Sequence, residues 1–226
     1  MPQLIAMVIV VVGAMIYMFQ TFGGTGDKIE GVAQKASIIT EINNIKDGIK
    51  IAAKSQQIAN SASGDKVSTL SGLGIYSYFA EQINEQVKAN ATFTGGTAAA
   101  DTNAYYAISF GGEDPDNKGG MILKLVAPAA VSGVKRIPGI YVEFTGTLLP
   151  NAGFLESQLT NDLSSVAYID RAAVSAAAAA GVIDDTGTPI EKRTPAMTAA
   201  SPTAVQLADG KFIIYFKDFG SDEVVD

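Results

Sequence analysis

The chain has 226 residues, of which 47% are hydrophobic, and carries a formal net charge of −7 with a pI near 4.6. Such an acidic chain lacks the basic surface that neutralises phosphates, so nucleic-acid binding is not expected. It contains no Cys and no His, which excludes thiolate nucleophiles, imidazole bases and ordinary zinc or copper sites. We therefore predict that the chain is not an enzyme and has no cofactor or metal.

The first segment is apolar on all sides. Residues 4–19 read LIAMVIVVVGAMIYMF, and no charged side chain occurs before Asp27. As a helix, residues 1–22 would span roughly 33 Å, close to the ~30 Å of a bilayer core. We predict that this helix enters a membrane first and later packs in a filament core. Its predicted contacts with neighbouring helices are Val8, Ile9, Val12, Ile16 and Phe19.

Two other interpretations of this segment are open. A cleaved secretory peptide would begin with Lys or Arg and end at a small-x-small site, and neither feature is found. A permanent single-pass anchor normally has a positively charged flank. The missing charge suggests that a basic leader preceded Met1 and was removed. A membrane-anchored periplasmic or surface binding module is the alternative to a structural filament subunit.

A glycine-rich stretch follows the apolar segment. Gly23, Gly24 and Gly26 occur within four residues, and each disfavours a helix by roughly 1 kcal/mol relative to Ala. This composition predicts a break in the helix within residues 22–26. It also divides the chain into an apolar core segment, 1–26, and a globular head, 27–226.

Apolar residues recur at spacings of three and four over residues 27–60, which predicts an amphipathic helix. Charged residues such as Glu41 would form its solvent side. The apolar stripe would pack on a sheet and consists of Ile29, Val32, Ala36, Ile39, Ile42, Ile45, Ile49 and Ala52. The predicted core of the head takes the central part of this stripe, Ile39, Ile42, Ile45 and Ile49.

The rest of the chain predicts short helices and strands. One helix is expected over 70–90, with Tyr76, Phe79, Ile83 and Val87 on one face, and an exposed loop over 90–103. β-Branched and aromatic runs bounded by Gly, Pro and Asp predict strands over 104–110, 121–127, 139–145 and 211–217. Residues 150–163 predict a helix opened by Pro150, 172–180 a helix or a low-complexity cover, and 184–210 a loop.

The predicted fold class is therefore α+β, with a long N-terminal helix packed on an antiparallel sheet. Only one face of each strand can reach the helix, because side chains alternate along a strand. About half of the candidate sheet partners should therefore point inward. These candidates are Tyr106, Ile108, Ile122, Leu125, Tyr141, Phe144, Ile213 and Tyr215.

Two short motifs could carry chemistry. Ser132 and Lys135 match the S-x-x-K spacing of serine acyl-transferases, but they lie in a Gly/Pro loop without the companion motifs, and such matches are common by chance. Residues 113–117 (EDPDN) place several side-chain oxygens in one turn, as calcium prefers, but without an ordered ligand spacing. A solvated acidic turn is the simpler interpretation.

Three features together resemble the type IV pilin family, in particular its larger-headed type IVb branch. The apolar segment leads through a glycine break into the amphipathic helix, and Met1 is a first residue found in that branch. Asn43-Asn44-Ile45 lies in an Asn/Ile/Ala-rich stretch typical of the branch. Ile140 to Leu163 is similar to the family's strand-then-helix element.

The resemblance implies a homopolymer of identical subunits, built by a pilus assembly machinery from an inner-membrane intermediate into an extracellular filament. The chain departs from the family at two points. Ile5 stands where pilins usually have a glutamate that pairs with a neighbour's terminal amine, and there is no Cys for the usual disulfide of the head. The C-terminal loop would be held by the strand at 211–217 or by subunit contacts.

Overall fold

A computed structural model describes residues 31–89, 93–94, 97–98, 103–113, 117–129, 136–178, 181–182, 194–198, 201–219 and 224. The first helix, α1, occupies residues 31–54. Helices α2 (Leu70–Ile75) and α3 (Glu81–Ala89) follow, and then a small hairpin of β1 (Phe93–Thr94) and β2 (Thr97–Ala98).

The remaining elements alternate between strands and short helices. They are β3 (Tyr105–Tyr106), β4 (Met121–Val126), β5 (Gly139–Phe144), α4 (Ala152–Leu163), β6 (Ala167–Asp170), β7 (Gly181–Val182), β8 (Ala196–Met197) and β9 (Lys211–Phe216). Short 3-10 helices occupy Ile108–Phe110, Gly146–Asn151 and Gln206–Ala208. The predicted α+β class, a mixture of helices and antiparallel sheet, is confirmed.

The main sheet has five antiparallel strands in the order β3-β4-β5-β9-β6. Strand β9 lies inside the sheet, between β5 and β6, so it joins two parts of the chain that are separated by α4. Directly paired residues share one face of a sheet. The pairing Leu123–Val142–Phe212 therefore defines one face, and Tyr105, which pairs with Leu123, belongs to it.

Helix α1 packs on this face, which we call the inner face. The Tyr105 hydroxyl donates to Glu41 on α1 at 2.8 Å. Near the other side of the sheet, the Lys46 ammonium lies 4.5 Å from the centre of the Phe216 ring. The helix and the inner face bury one continuous core, to which Leu155 and Leu159 of α4 also belong.

The buried face of α1 differs from the predicted stripe at its start. Val32 is 60% exposed and Ala36 is exposed, whereas Ile38, which was not part of the stripe, is fully buried. The predicted inward position of Val32 and Ala36 is therefore wrong for this chain alone. From the stripe, Ile42, Ile45, Ile49 and Ala52 are buried and Ile39 is half-buried.

Glu41 is also buried, although its charge had placed it on the solvent side. Its carboxylate accepts the Tyr105 hydroxyl and, at 2.9 Å, the backbone N–H of Ser109. These two donors replace the water that burial removes, which is what makes a buried carboxylate tolerable. Burial, reinforced by the Glu41 charge, raises the pKa of Tyr105, so the hydroxyl stays protonated and keeps donating at neutral pH.

The candidate sheet partners divide between the two faces. Leu125 and Phe144 lie on the inner face, whereas five others lie on the outer face: Tyr106, Ile122, Tyr141, Ile213 and Tyr215. Ile108 falls in a 3-10 helix. Both faces are apolar because the outer face is covered too, by residues 171–178 and 194–198, which we call the covering segment. Tyr141, Ile213 and Tyr215 are buried beneath it.

Several element boundaries differ from prediction because the backbone turns at residues with positive φ. Helix α1 ends at residue 54, before Gln56 with φ 56, rather than at Asn60. The single helix expected over 70–90 is two helices, separated near Ser77 with φ 59, and Tyr76 is 44% exposed. The expected loop 90–103 contains the β1–β2 hairpin.

The strand expected over 104–110 is only two residues long, because the chain enters the 3-10 helix Ile108–Phe110 directly after it. A side chain also occupies the open edge of the strand. The Gln86 amide accepts the Tyr106 N–H at 3.2 Å and donates to the Tyr106 carbonyl at 2.7 Å. The chain then turns at Gly111, whose φ of 73 favours glycine. Strand β6 was not predicted at all. Pro150, predicted to open a helix, lies in the 3-10 turn that precedes α4.

Candidate functional site

The residues predicted to drive assembly precede the described part of the chain. The filament-core candidates Val8, Ile9, Val12, Ile16 and Phe19, and the helix-break glycines Gly23, Gly24 and Gly26, lie outside the described residues. So does Ile29 of the stripe. Across the described ranges, from residue 31 onward, no helix has both the length and the apolar character of a membrane span. The described surface nearest to these residues in the sequence is therefore the one where α1 starts, at residue 31.

Apolar side chains are exposed where the described part of α1 begins. Val32 is 60% exposed, Ala36 one turn later is exposed, and Phe154 near the start of α4 is 46% exposed. The Phe154 ring lies against Gly31, so close that a Cβ at that position would be 3.0 Å from it. We call Val32, Ala36 and Phe154 the α1–α4 patch.

Two ionic contacts fix α4 beside α1 and the sheet. Lys35 pairs with Asp162 at 2.7 Å on the surface. Inside, the fully buried Glu156 accepts from the Arg171 Nε at 2.6 Å and from the Gly210 N–H at 3.2 Å. Arg171 also donates to the Leu207 carbonyl. Burial raises the pKa of Glu156, and Arg171 opposes that rise. Phe154 of the patch therefore lies on a helix that is tied to α1 and to the chain at Arg171 and Gly210.

The covering segment is held to the outer face without a disulfide. Asp170, which is 2% exposed, accepts from the Thr198 N–H at 2.8 Å, the Thr198 hydroxyl at 2.5 Å and the Ala172 N–H at 3.1 Å. The Tyr215 hydroxyl donates to the Ala196 carbonyl at 2.6 Å. Burial raises the pKa of Tyr215, so this donor is not lost near neutral pH. These contacts link the covering segment to strands β6 and β9.

Arg136 adds a further contact at the same place. It is 9% exposed and donates through Nη1 to the Pro195 carbonyl at 3.2 Å. Residue 136 also forms an isolated bridge with Thr194. Among the described residues its Nε has no hydrogen-bond partner. The sequence alone did not single out Arg136, Asp170 or Glu156. Their one signal is a charged residue inside or next to an apolar run.

We expect Asp170→Asn to loosen the covering segment and to lower the free energy of unfolding by about 1–3 kcal/mol, because an amide nitrogen would face donors that now bind a carboxylate. Limited proteolysis with mass-spectrometric mapping should show faster cleavage within residues 171–198. Asp162→Asn is the matched control, since its pair with Lys35 is at the surface and should be worth less than about 1 kcal/mol. Unchanged cleavage in Asp170→Asn would contradict this role.

The motifs that could have carried chemistry gain no support. Ser132 and Lys135 lie outside the described residues, as do residues 114–116 of the acidic turn. The described ends of that turn are joined by a hydrogen bond from the Glu113 N–H to the Asn117 carbonyl at 2.9 Å. Within the described ranges, no group of three or more acidic side chains is placed to hold a metal ion.

Comparisons with protein-family models, with curated proteins and with solved structures gave no match for this chain.

Proposed function

We propose that this chain is the structural subunit of an extracellular, type IV pilus-like helical filament, assembled through its apolar N-terminal segment. In this proposal the segment lies in the inner membrane before assembly and is transferred by a pilus assembly machinery. Identical subunits then bury it together in the filament core. The finer form of the fold belongs to the same proposal: a long helix that is apolar first, interrupted at Gly23 to Gly26, and amphipathic from residue 27 onward.

One observation carries the proposal. A run without any charge before Asp27 leads, within a few residues, into a helix whose inner face is already filled by its own sheet. That core begins at Ile38 in the sequence, and residues from both faces of the sheet complete it. In this proposal lipid or other copies cover residues 1–22, because the inward side of the described part of α1 is already packed on its own sheet.

The α1–α4 patch supports contacts between copies. Val32 and Ala36 fit the apolar spacing of α1 yet face away from its own core. Scattered exposed apolar residues need no explanation, but Val32 directly follows Gly31, which lies against the Phe154 ring, and both residues come shortly after the end of the proposed core segment in the sequence. A neighbouring subunit packed along the filament axis would cover them. Burying this apolar surface, which is exposed in the isolated head, would stabilise the contact.

Replacing Val32 with Asp tests this surface. The charge would remain solvated in the free subunit but would be buried without a partner in the filament, so filament mass should fall roughly tenfold or more. Val205→Asp is the matched control, because this valine is 78% exposed and lies far along the chain in the loop before β9. Electron microscopy and sedimentation of sheared filaments measure the result.

The outcomes separate the two candidate functions. If Val32→Asp forms filaments as the control does, the α1–α4 patch is not a subunit contact. If wild-type cells carry no filaments that contain this chain, and the chain stays in the membrane fraction, the proposal fails and the single-pass anchored binding module takes its place. Peptide mass analysis of purified filaments identifies the subunit and its first residue.

A further inference from the structure

A cleft of about 410 Å³ opens on the outer face of the sheet, above strands β3, β4 and β5, and Ala176 of the covering segment forms one side. Its floor is a small apolar cluster separate from the main core, formed by Ala104, Tyr106 and Ile122. Its volume is in the range of small-molecule sites, and polar groups make up most of its lining around this floor.

Two lysines and one carboxylate line the cleft. Lys118 and Lys124 have no ion-pair partner among the described residues, although Lys124 lies 5.9 Å from the centre of the Tyr141 ring. The Glu143 carboxylate, in contrast, already contacts two other side chains of the protein. It lies 3.7 Å from the Lys211 ammonium and accepts the Tyr141 hydroxyl at 3.4 Å. Among the described residues that line the cleft, two lysines therefore stand against one carboxylate, on a chain of net charge −7.

The charge and hydrogen-bonding capacity of these groups limit the class of ligand that the cleft can bind. Two ammonium groups without an ion-pair partner in the described part of the chain attract an anion, and a partly enclosed cleft strengthens that attraction. Glu143 would repel a doubly charged phosphate more strongly than a single carboxylate, and it can accept hydrogen bonds from hydroxyl groups. The described residues that line the cleft include no arginine to form the bidentate contact that phosphate sites favour.

An extended peptide fits less well, because both ends of the sheet edge are closed by side-chain amides. Gln86 occupies the backbone groups of Tyr106. Asn103 does the same for Leu125, accepting its N–H at 2.9 Å and donating to its carbonyl at 2.7 Å. A peptide could not add a strand there, and main-chain pairing is the usual source of affinity in that mode.

We propose that this cleft binds a small carboxylated sugar of the uronic acid class. The carboxylate lies on Lys124, with Lys118 contributing charge, and the apolar face of the ring lies over Tyr106 and Ile122. A ring hydroxyl donates to Glu143. This inference does not depend on the filament proposal, since an anchored head would present the same cleft.

Saturation-transfer NMR on the full-length chain in detergent, with galacturonate as the probe, tests the site. We expect saturation of the galacturonate ring protons, much weaker saturation of galactose, and little competition from acetate. Lys124→Met, which keeps the length of the side chain, should weaken galacturonate binding roughly fivefold. Lys118→Met should weaken it less. Lys54→Met, on the exposed side of α1, is the matched control and should bind as the wild type does.

Four results would overturn the proposal. Equal saturation by galactose would show that the cleft does not recognise the carboxylate. Full competition by acetate would show that the cleft recognises only the negative charge and not the sugar ring. Binding unchanged in both Lys124→Met and Lys118→Met, or no saturation at tens of millimolar galacturonate, would remove the site altogether. Thermal unfolding of each variant shows whether a loss of binding reflects a loss of folding. If the lysine variants do not fold, Glu143→Gln, which keeps the shape of the side chain, provides the test. It must then change the binding of galacturonate relative to that of galactose.

Discussion

Filaments should be lost completely when Val12 is replaced by Asp. Val12 is near the middle of the uncharged run, and in the proposed filament every subunit would bury the new carboxylate without a partner. Burying an ionised carboxylate in apolar surroundings is far costlier than one subunit contact can offset, and the cost recurs at each copy. Electron microscopy of cells and sedimentation of sheared filaments should find none.

The control separates failed assembly from failed membrane insertion. A single charge within a membrane-spanning segment costs about 2.5–3.5 kcal/mol on insertion scales, so the Asp variant should still be found in the membrane fraction. Val12→Leu keeps the segment apolar and should form filaments at close to wild-type levels. Wild-type filament yields from Val12→Asp would rule out a core role for this segment.

The sequence predicted those elements whose signal is local. Strands β4, β5 and β9 have β-branched and aromatic runs bounded by Gly or Pro, and the structure has them within one residue of the predicted bounds. Spacings of three and four predicted α1 and the burial of Ile42, Ile45 and Ile49. Each of these signals is a residue pattern within one segment, so it can be read from the sequence without knowing which distant residues that segment contacts.

Features that depend on distant partners were missed. Glu41 is buried because Tyr105 and Ser109, far along the chain, bring two donors to it. Strand β6 has only four residues and ends in Asp170, whose hydrogen-bond donors include Thr198, far along the chain. The helix over 70–90 was predicted as one piece because nothing in its apolar spacing marks the positive φ of Ser77.

The missing disulfide illustrates the same point. Sequence reasoning expected β9 or subunit contacts to hold the C-terminal loop. The structure does have β9 inside the sheet, and the covering segment is also held by polar contacts from Asp170, Tyr215 and Arg136. Each is a buried polar group with a partner, and such groups define one arrangement because any other leaves them unpaired. A covalent bond is therefore not the only means of fixing this loop.

The stability of the head should depend most on the seam between α1 and the inner face of the sheet. Ile45 is fully buried there, so Ile45→Ala should lower the free energy of unfolding by about 2–5 kcal/mol, through lost burial and the cavity left behind. Thermal and urea unfolding of a soluble form lacking residues 1–26 measures the change. That deletion removes no described contact, since the described core begins at Ile38.

Ile51→Ala is the matched control, because it makes the same change in the same helix at a side chain that is 55% exposed. Its effect should stay within about 0.5 kcal/mol, as for most surface substitutions. Equal effects of the two changes would mean that α1 does not hold the head through its buried side. A large loss for Ile45→Ala alone would show that one face of α1 is committed to the head. The opposite face, which includes Val32 and Ala36, would then be free to contact other subunits without a cost to folding.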